Sequence, residues 1–539
     1  MRSPWTALLA VLPALWGLRA GTEAAFGRFS VDLAGHLWMG WSASQGPLTR
    51  TTLVGWPEGL DLMPVLGGWL DVMLVGALSP WLGLITAYNL VIVLYLFAAG
   101  LGGAALARAL GASAPAAAAA GLLLQLDPFV LHHVAGGRPE QVGLGFVALA
   151  LAAAVRCGRG AQHWALCGLA GAAVVFVSWE LTLLLALLTV GVVAIVGLGE
   201  RPPGALGRWV RALGVFALTA GPWIATFLSR AGAVRARDEG SFALETAGHA
   251  SVGLLGWFGA DALRPAALPL LALLALPWAL RRRDRALGAG VAVALGVSLA
   301  LALGPRPGLW TPGPPGEPPS GLFTWIQGLP ILGWFHWPDR LLAVWSLAVA
   351  AASGAVVQKL GAWRRAAGVL AAAALVGSAA ARVERLDLWP EASFEVYQRP
   401  AALALGALDE PGAVVDLPIQ PDIVRHLAYM LDQLGHGRPI LFHMVLGHLD
   451  GGASGGRVAA DPLLRWFAEL MAPTPPAPRV FQAEDLQPLR DQGFRFLVLH
   501  REGWPPDRWA MGRRALQESL GPPVLEEGED WLCWRLEGR

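Results

Sequence analysis

The chain has 539 residues, 55% of them hydrophobic and only 15% charged, with a mean hydropathy of +0.51 and a net charge of +1. Soluble domains carry about 25% charged residues, so the composition excludes an ordinary soluble enzyme and puts the chain in the membrane class. The near-zero net charge argues for no nucleic-acid partner, and Cys157, Cys167 and Cys533 are spaced for neither a zinc motif nor a disulfide framework.

About 20 apolar residues cross a bilayer as a helix. In chain order the spans are read as Trp5–Leu18, Leu82–Leu106, Pro115–Val130, Val142–Val155, Trp164–Val177, Leu181–Leu198, Leu213–Leu228, Ala266–Leu280, Leu287–Leu303, Leu341–Val357 and Ala366–Ala380. That is an α-helical polytopic membrane domain of about 11 transmembrane helices over residues 1–380. Trp5–Leu18 is taken as a retained anchor; the alternative is a signal peptide cleaved in the small-residue stretch Gly17–Ala25. Met63–Leu78 is apolar but broken by Pro64, Gly67, Gly68 and Asp71, and reads as an interfacial or re-entrant helix.

Charge is sorted by side. The short connections hold Arg108; Arg156 and Arg159; Arg201, Arg208 and Arg211; Arg281, Arg282, Arg283 and Arg285; and Lys359, Arg364 and Arg365. The long connections, about Arg19–Trp81, Ser229–Pro265 and Gly304–Arg340, are much poorer in basic residues and carry the carboxylates and histidines. The positive-inside rule then sets the N-terminus in the cytoplasm of a bacterial inner membrane and the long loops outside. The third long loop contains GPRPGLWTPGPPGEPPSG, too rich in proline and glycine for regular structure. It is either a rigid lid or a plain solvated loop. Tryptophans near predicted span ends, such as Trp56, Trp69, Trp81, Trp334 and Trp337, suit an interfacial belt.

The candidate chemistry lies on the long-loop side. Asp32 and His36 in SVDLAGHLW are four apart, which places both on one helix face, where they can share a proton or a ligand. Glu58 and Asp61 in WPEGLDLMP follow, as carboxylates at a water-filled mouth or as solvated loop charges. LDPFVLHHVAGGRPEQ packs Asp127, His132, His133, Arg138 and Glu140 into one turn, with Arg138 suited to a phosphate or a sugar hydroxyl. Adjacent His132 and His133 cannot point the same way. A divalent metal held across loops with Asp32 or His36 is specified by no spacing, so no cofactor is assigned. Glu180 sits in a tight turn between two spans, where ionisable groups are costly and tend to be functional; the plainer reading is an end-of-helix charge. LPILGWFHWPDRLL brings His336, Asp339 and Arg340 to the membrane surface, where Arg340 suits a lipid phosphate; an Asp339–Arg340 pair capping a helix is the plainer alternative.

After Ala380 the composition turns polar. Ala413–Ile419 and Phe494–His500 read as buried strands, Arg425–Leu434 and Asp507–Leu520 as helices, and Trp531–Leu536 as a last strand. Residues 381–539 thus read as a soluble extracytoplasmic α/β domain. No phosphate-cradling GxxxxGK[ST] or GxGxxG loop is present, so a donor for chemistry on the outer side would be a lipid carried through the bilayer.

The same segments resemble the polytopic GT-C glycosyltransferases, and more closely their bacterial YfhO-like branch. The resemblance rests on Asp32 with His36, ITAYNLVIVLYLFAAGLGGAALARAL, LLQLDPFVLHHVAGGRPEQ, LPILGWFHWPDRLL, and, in the tail, VVDLPI followed by YMLDQLGHGRPIL. It implies a polyprenyl-phosphate-linked sugar as donor, inversion at the anomeric carbon, and an acidic base in the first outer loop, a role that falls on Asp32. Many such enzymes have two adjacent acidic residues there, whereas this chain has Val31–Asp32, and it has Asp127–Pro128 where relatives often have Ser-Pro. The resulting expectation is a glycosyltransferase whose acceptor is an unnamed glycan, lipid or protein, with His36, Glu58, Asp61, His132, His133, Arg138, Glu140, Glu180, His336 and Arg340 binding substrate. The alternative is a non-catalytic scaffold, or a lipid or polysaccharide transporter.

Overall fold

The structure, a computed structural model, describes residues 4–47, 49–63, 68–160, 163–194, 202–235, 267–279, 295–303, 323–324, 338–419, 423–441 and 453–536. His336, Trp334, Trp337, the basic run at 281–285, the proline-rich stretch of the third long loop and most of the second lie outside them.

Helices occupy the expected apolar segments. They are α1 (Pro4–Ala20), α2 (Val31–Gln45), α3 (Leu70–Leu82), α4 (Leu84–Ala109), α5 (Ala114–Gln125), α6 (Pro128–Ala135), α7 (Pro139–Val142), α8 (Leu144–Arg159), α9 (Trp164–Val177), α10 (Trp179–Ala194), α11 (Ala205–Arg235) and α12 (Ala267–Ala279). After a 3-10 turn (Pro338–Leu342) come α13 (Ala343–Trp363) and α14 (Arg365–Arg385). Among the described residues, six stretches are long and apolar enough to cross a membrane: Leu84–Ala109, Ala114–Ala135, Pro139–Arg159, Ala205–Arg230, Asp339–Trp363 and Arg365–Arg385. The apolar helices at Ala7–Ala20, Leu70–Leu82, Trp164–Val177 and Trp179–Thr189 are shorter. Of the apolar stretch Met63–Leu78, the part from Leu70 is helical, and residues 64–67 lie outside the described residues.

Small residues bring the helices close. A side chain at Gly145 of α8 would meet the Ala98 backbone of α4 at 2.3 Å, so the two backbones touch where a Cβ cannot fit. Buried Gln125 donates to the carbonyls of Leu9 at 2.7 Å and Leu96 at 3.1 Å, tying α1 and α4 to the end of α5. The basic connections gather at one end. Arg159 donates to Ala109 O at 2.8 Å, Arg208 to Cys157 O at 2.7 Å, and Gln358 accepts the Ser113 N–H at 2.9 Å.

Short strands β1 (Ala24–Ala25), β2 (Arg50–Thr51) and β3 (Leu60–Asp61) lie in the first long loop, and the tail adds β4 (Phe394–Glu395), α15 (Pro400–Gly406), β5 (Ala413–Leu417), α16 (Ile423–His436), α17 (Ala453–Ala460), α18 (Pro462–Leu470), α19 (Ala483–Asp491), β6 (Phe494–His500), α20 (Pro506–Leu520), β7 (Leu525–Glu527) and β8 (Trp531–Arg535). The sheet runs β5-β6-β8-β7, with β5 parallel to β6 and the other pairs antiparallel. Its core is not its own. One continuous cluster joins Val415, Leu497, Phe467 and Trp534 to Trp38, Met39, Val54, Leu62 and Trp69 of the first long loop. Trp69, expected at an interface, is therefore fully buried, whereas Trp81 is 85% exposed.

Candidate functional site

The site is assembled at the end of the bundle opposite the arginine-rich connections. Helix α2 starts at Ser30, whose hydroxyl accepts the Leu33 N–H at 3.0 Å and donates to the Gly136 carbonyl at 2.7 Å. The Arg28 N–H donates to Ala135 O at 2.8 Å. These bonds press the first turn of α2 against the turn between α6 and α7. Gly137 makes the approach feasible. Its φ is +67°, and a Cβ there would lie 2.3 Å from Leu33 Cβ and 2.7 Å from Leu33 Cα. Asp127 ends α5 and starts α6. Its carboxylate accepts the Phe129 N–H at 2.9 Å and the Ser346 hydroxyl at 2.6 Å, and Pro128 follows where a missing N–H costs nothing.

Asp32 and His36 share a face of α2 but not a ligand, and each has its own partners. Asp32 is 2.5 Å from Arg138 Nε, and both side chains keep partial exposure. His36 is buried, with Nδ1 2.7 Å from Asp71 and Nε2 3.1 Å from Glu140. Burial alone would lower its pKa, but the Asp71 carboxylate, and then Glu140, outweigh burial and hold it well above the ordinary histidine value. His36 thus sits between two buried carboxylates, with Nδ1 hydrogen-bonded to Asp71 and Nε2 facing Glu140.

A second set lies beside it. Arg340, in the 3-10 turn before α13, pairs with Glu180 at the start of α10, and Glu180 also accepts the Gln141 amide at 2.5 Å. Arg340, for which sequence offered a pair with Asp339 as the plainer alternative, makes an ion pair across the bundle. The fields of Arg340 and Arg138 converge on His133 and on Asp339. His133 is wholly buried and edge-on to Phe129, and neither ring nitrogen has a hydrogen-bond partner among the described residues. The ring of His132 is 5.5 Å away and tilted by 71°, so the two histidines point apart.

Glu58 and Asp61 are engaged elsewhere. Exposed Glu58 pairs with Arg457 of the tail; burial pushes its carboxyl up, but the hydrogen bond from Arg457, a backbone hydrogen bond and the Arg457 charge together hold it below the usual range. Asp61 accepts both oxygens' worth of Arg230 at 3.1 Å and the Met63 N–H at 3.0 Å. Both pin the loop rather than join the cluster. His336 lies outside the described residues. Two residues escaped the sequence reading, Asp71 and Gln141. Asp71 had a readable signal, an acidic group inside an apolar helical stretch.

Among the described residues, no group of three or more His, Cys, Asp and Glu side chains is set to hold a metal. The donors that a cross-loop metal would need are turned to other partners: His36 faces carboxylates and Asp32 faces Arg138.

No family model and no curated protein matches the sequence. Solved structures do. The mycobacterial arabinofuranosyltransferase AftD is similar over 100% of this chain and 42% of its own, at 15% identity and a TM-score of 0.61. This chain therefore spans less than half of that protein's length. The Archaeoglobus fulgidus oligosaccharyltransferase is similar at 13% identity and TM-score 0.48, over 95% of this chain and 70% of its own. ArnT from Cupriavidus metallidurans, solved with undecaprenyl phosphate, is similar at 12% identity and TM-score 0.44, over 100% and 99%. At such identities the likeness to AftD is one of fold alone.

Proposed function

We propose that this chain is an inverting membrane glycosyltransferase that moves a sugar from a polyprenyl-phosphate donor to an acceptor hydroxyl on the extracytoplasmic side. Within the GT-C fold we assign it to the YfhO-like branch, on the tail motifs VVDLPI and YMLDQLGHGRPIL. The observation that carries the reading is the junction of Asp32 with Arg138 beside Arg340, at the carboxylate-rich end of an apolar bundle. A partly exposed carboxylate paired with one arginine, Arg138, with the second, Arg340, held by Glu180 at the same end of the bundle, suits a base that works against a phosphate leaving group.

In this reading the donor phosphate draws Arg138 away from Asp32. The freed carboxylate accepts the proton of the acceptor hydroxyl as that oxygen bonds to the anomeric carbon. The bond from that carbon to the phosphate oxygen breaks, and the electron pair leaves with polyprenyl phosphate. Arg138 and Arg340 stabilise the charge that develops there. His36, Asp71 and Glu140 hold the base helix against α3 and α7.

The test is turnover of radiolabelled polyprenyl-phosphate sugars by purified protein, with envelope extract as acceptor source. Asp32→Asn is expected to lose about 10²–10⁴-fold in turnover, the usual worth of a general base. A non-catalytic scaffold would tolerate the change, and retained turnover would remove Asp32 from the mechanism.

A further inference from the structure

One buried amide joins the proposed catalytic helix to the tail. Gln433, on α16, has no exposed surface. Its Oε1 accepts the Trp38 indole N–H at 2.7 Å; its Nε2 donates to the carbonyls of Leu53 at 2.5 Å and Arg438 at 2.8 Å. Trp38 is 1% exposed and sits on α2, six residues after Asp32. Leu53 belongs to the first long loop, and Arg438 to the segment leaving α16. A single side chain therefore spends both amide protons and its oxygen on three separate stretches of chain.

The next residue fixes the other side of α16. Asp432 accepts the Trp531 indole N–H at 3.2 Å and lies 3.6 Å from His500 Nδ1, at the end of β6. Helix α16 is thus a strut, with the sheet bound through Asp432 and α2 bound through Gln433. An apolar residue would fill the space of Gln433 equally well. What the amide adds is direction, since its hydrogen bonds fix the rotation and height of α2 where greasy contacts would let it slide.

We infer that Gln433 is a positioning residue: through Trp38 it holds α2 in the one placement that presents Asp32 to the reacting hydroxyl. The structural half of this inference stands alone, and the catalytic half rests on the glycosyl-transfer reading. A misplacement of about 1 Å can cost about 10²-fold in rate, so a loosened joint is read in kcat rather than in donor binding.

The experiment pairs hydrogen–deuterium exchange with turnover in full-length protein, using Gln433→Met and Trp38→Phe. The second variant keeps an aromatic ring at that place but removes the pyrrole half of the indole together with its N–H. In both, amides of residues 31–45 are expected to exchange about ten-fold faster while β5 and β6 keep their protection. With lipid-linked sugar, kcat is expected to fall about 10–100-fold with donor KM within two-fold. The double variant is expected to be no worse than the poorer single one, as for two halves of one interaction. Unchanged exchange in residues 31–45, equal loosening of the sheet, or additive losses would overturn the joint. Faster exchange with normal kcat, where Asp32→Asn still abolishes turnover, would overturn the positioning role and leave the glycosyl-transfer reading intact. Retained turnover in Asp32→Asn would remove that reading, and the exchange result would still decide the joint.

Discussion

At the residue scale, the informative group is His36, because its charge is set by what surrounds it. Two buried carboxylates raise its folded pKa, so the folded state holds its proton more tightly than the unfolded chain does. A raised pKa contributes stability that is fully present below the unfolded value of about 6.5 and is lost as pH climbs through the folded value. The thermal midpoint of the detergent-solubilised protein is therefore expected to fall on the alkaline side of neutrality, and His36→Gln is expected to flatten that fall. An unchanged alkaline slope in the variant would mean that another group titrates. Removing one member, as in Asp71→Asn, strips a partner from a buried charge and is expected to cost about 3–5 kcal/mol. Two of the three members of this group were legible in the sequence. His36 and Glu140 stood out as ionisable residues beside spans. Asp71 was hidden in an apolar stretch with a proline and two glycines just ahead of it, where a helix break masked a buried charge.

At the element scale, the site depends on α2 sitting on the turn between α6 and α7, and that contact runs through Gly137. An alanine there would meet both a disfavoured φ of +67° and the Leu33 backbone, with the nearest backbone atoms at 2.7 and 2.9 Å. Gly137→Ala is expected to destabilise the protein by about 1–3 kcal/mol. Leu33→Ala is not expected to rescue it, because the obstructing atoms include the Leu33 main chain. A thermal-shift series on the two single variants and the pair checks this, and full rescue would show the clash to be with the Leu33 side chain alone. The element reading explains which parts of the site were legible. Helix positions followed from apolar runs, and the gathering of Arg138, Glu140, Glu180 and Arg340 followed from ionisable residues collecting at one set of span ends. Pairings were not legible. Arg340 has Asp339 beside it in sequence, yet it also pairs with Glu180, 160 residues away, a partner that only the packed helices deliver. Glu58 and Asp61 had the composition of a site mouth, but the arginines of the tail and of α11 take them instead.

At the scale of the whole molecule, the composition shift after Ala380 suggests a separable domain, whereas the packing ties it to the first long loop. Strand β5 is an edge of the sheet, and an unprotected edge invites pairing with other chains. Here Val414 bridges to Ile440, whose N–H donates to Leu53 O at 2.8 Å and whose carbonyl accepts the Trp56 N–H at 3.2 Å. The tail's own segment around Ile440 thus covers the edge, the first long loop pairs with the far side of that segment, and Trp38, Val54 and Leu62 fill the core beneath it. A fragment of residues 386–539 would keep β5, β6, β8, β7 and the Ile440 segment but lose the loop's hydrogen bonds to Ile440 and those side chains. Burying apolar area contributes about 25 cal/mol per Å², so each large side chain taken from the core removes about 1.5–3 kcal/mol from a total of only about 5–15. The isolated fragment is therefore expected to be protease-sensitive and to aggregate, while the same fragment fused through a flexible linker to residues 31–63 resists digestion. Comparing limited proteolysis of the two, a fragment that folds alone would show that the shared core is dispensable and that the loop rests on a finished domain.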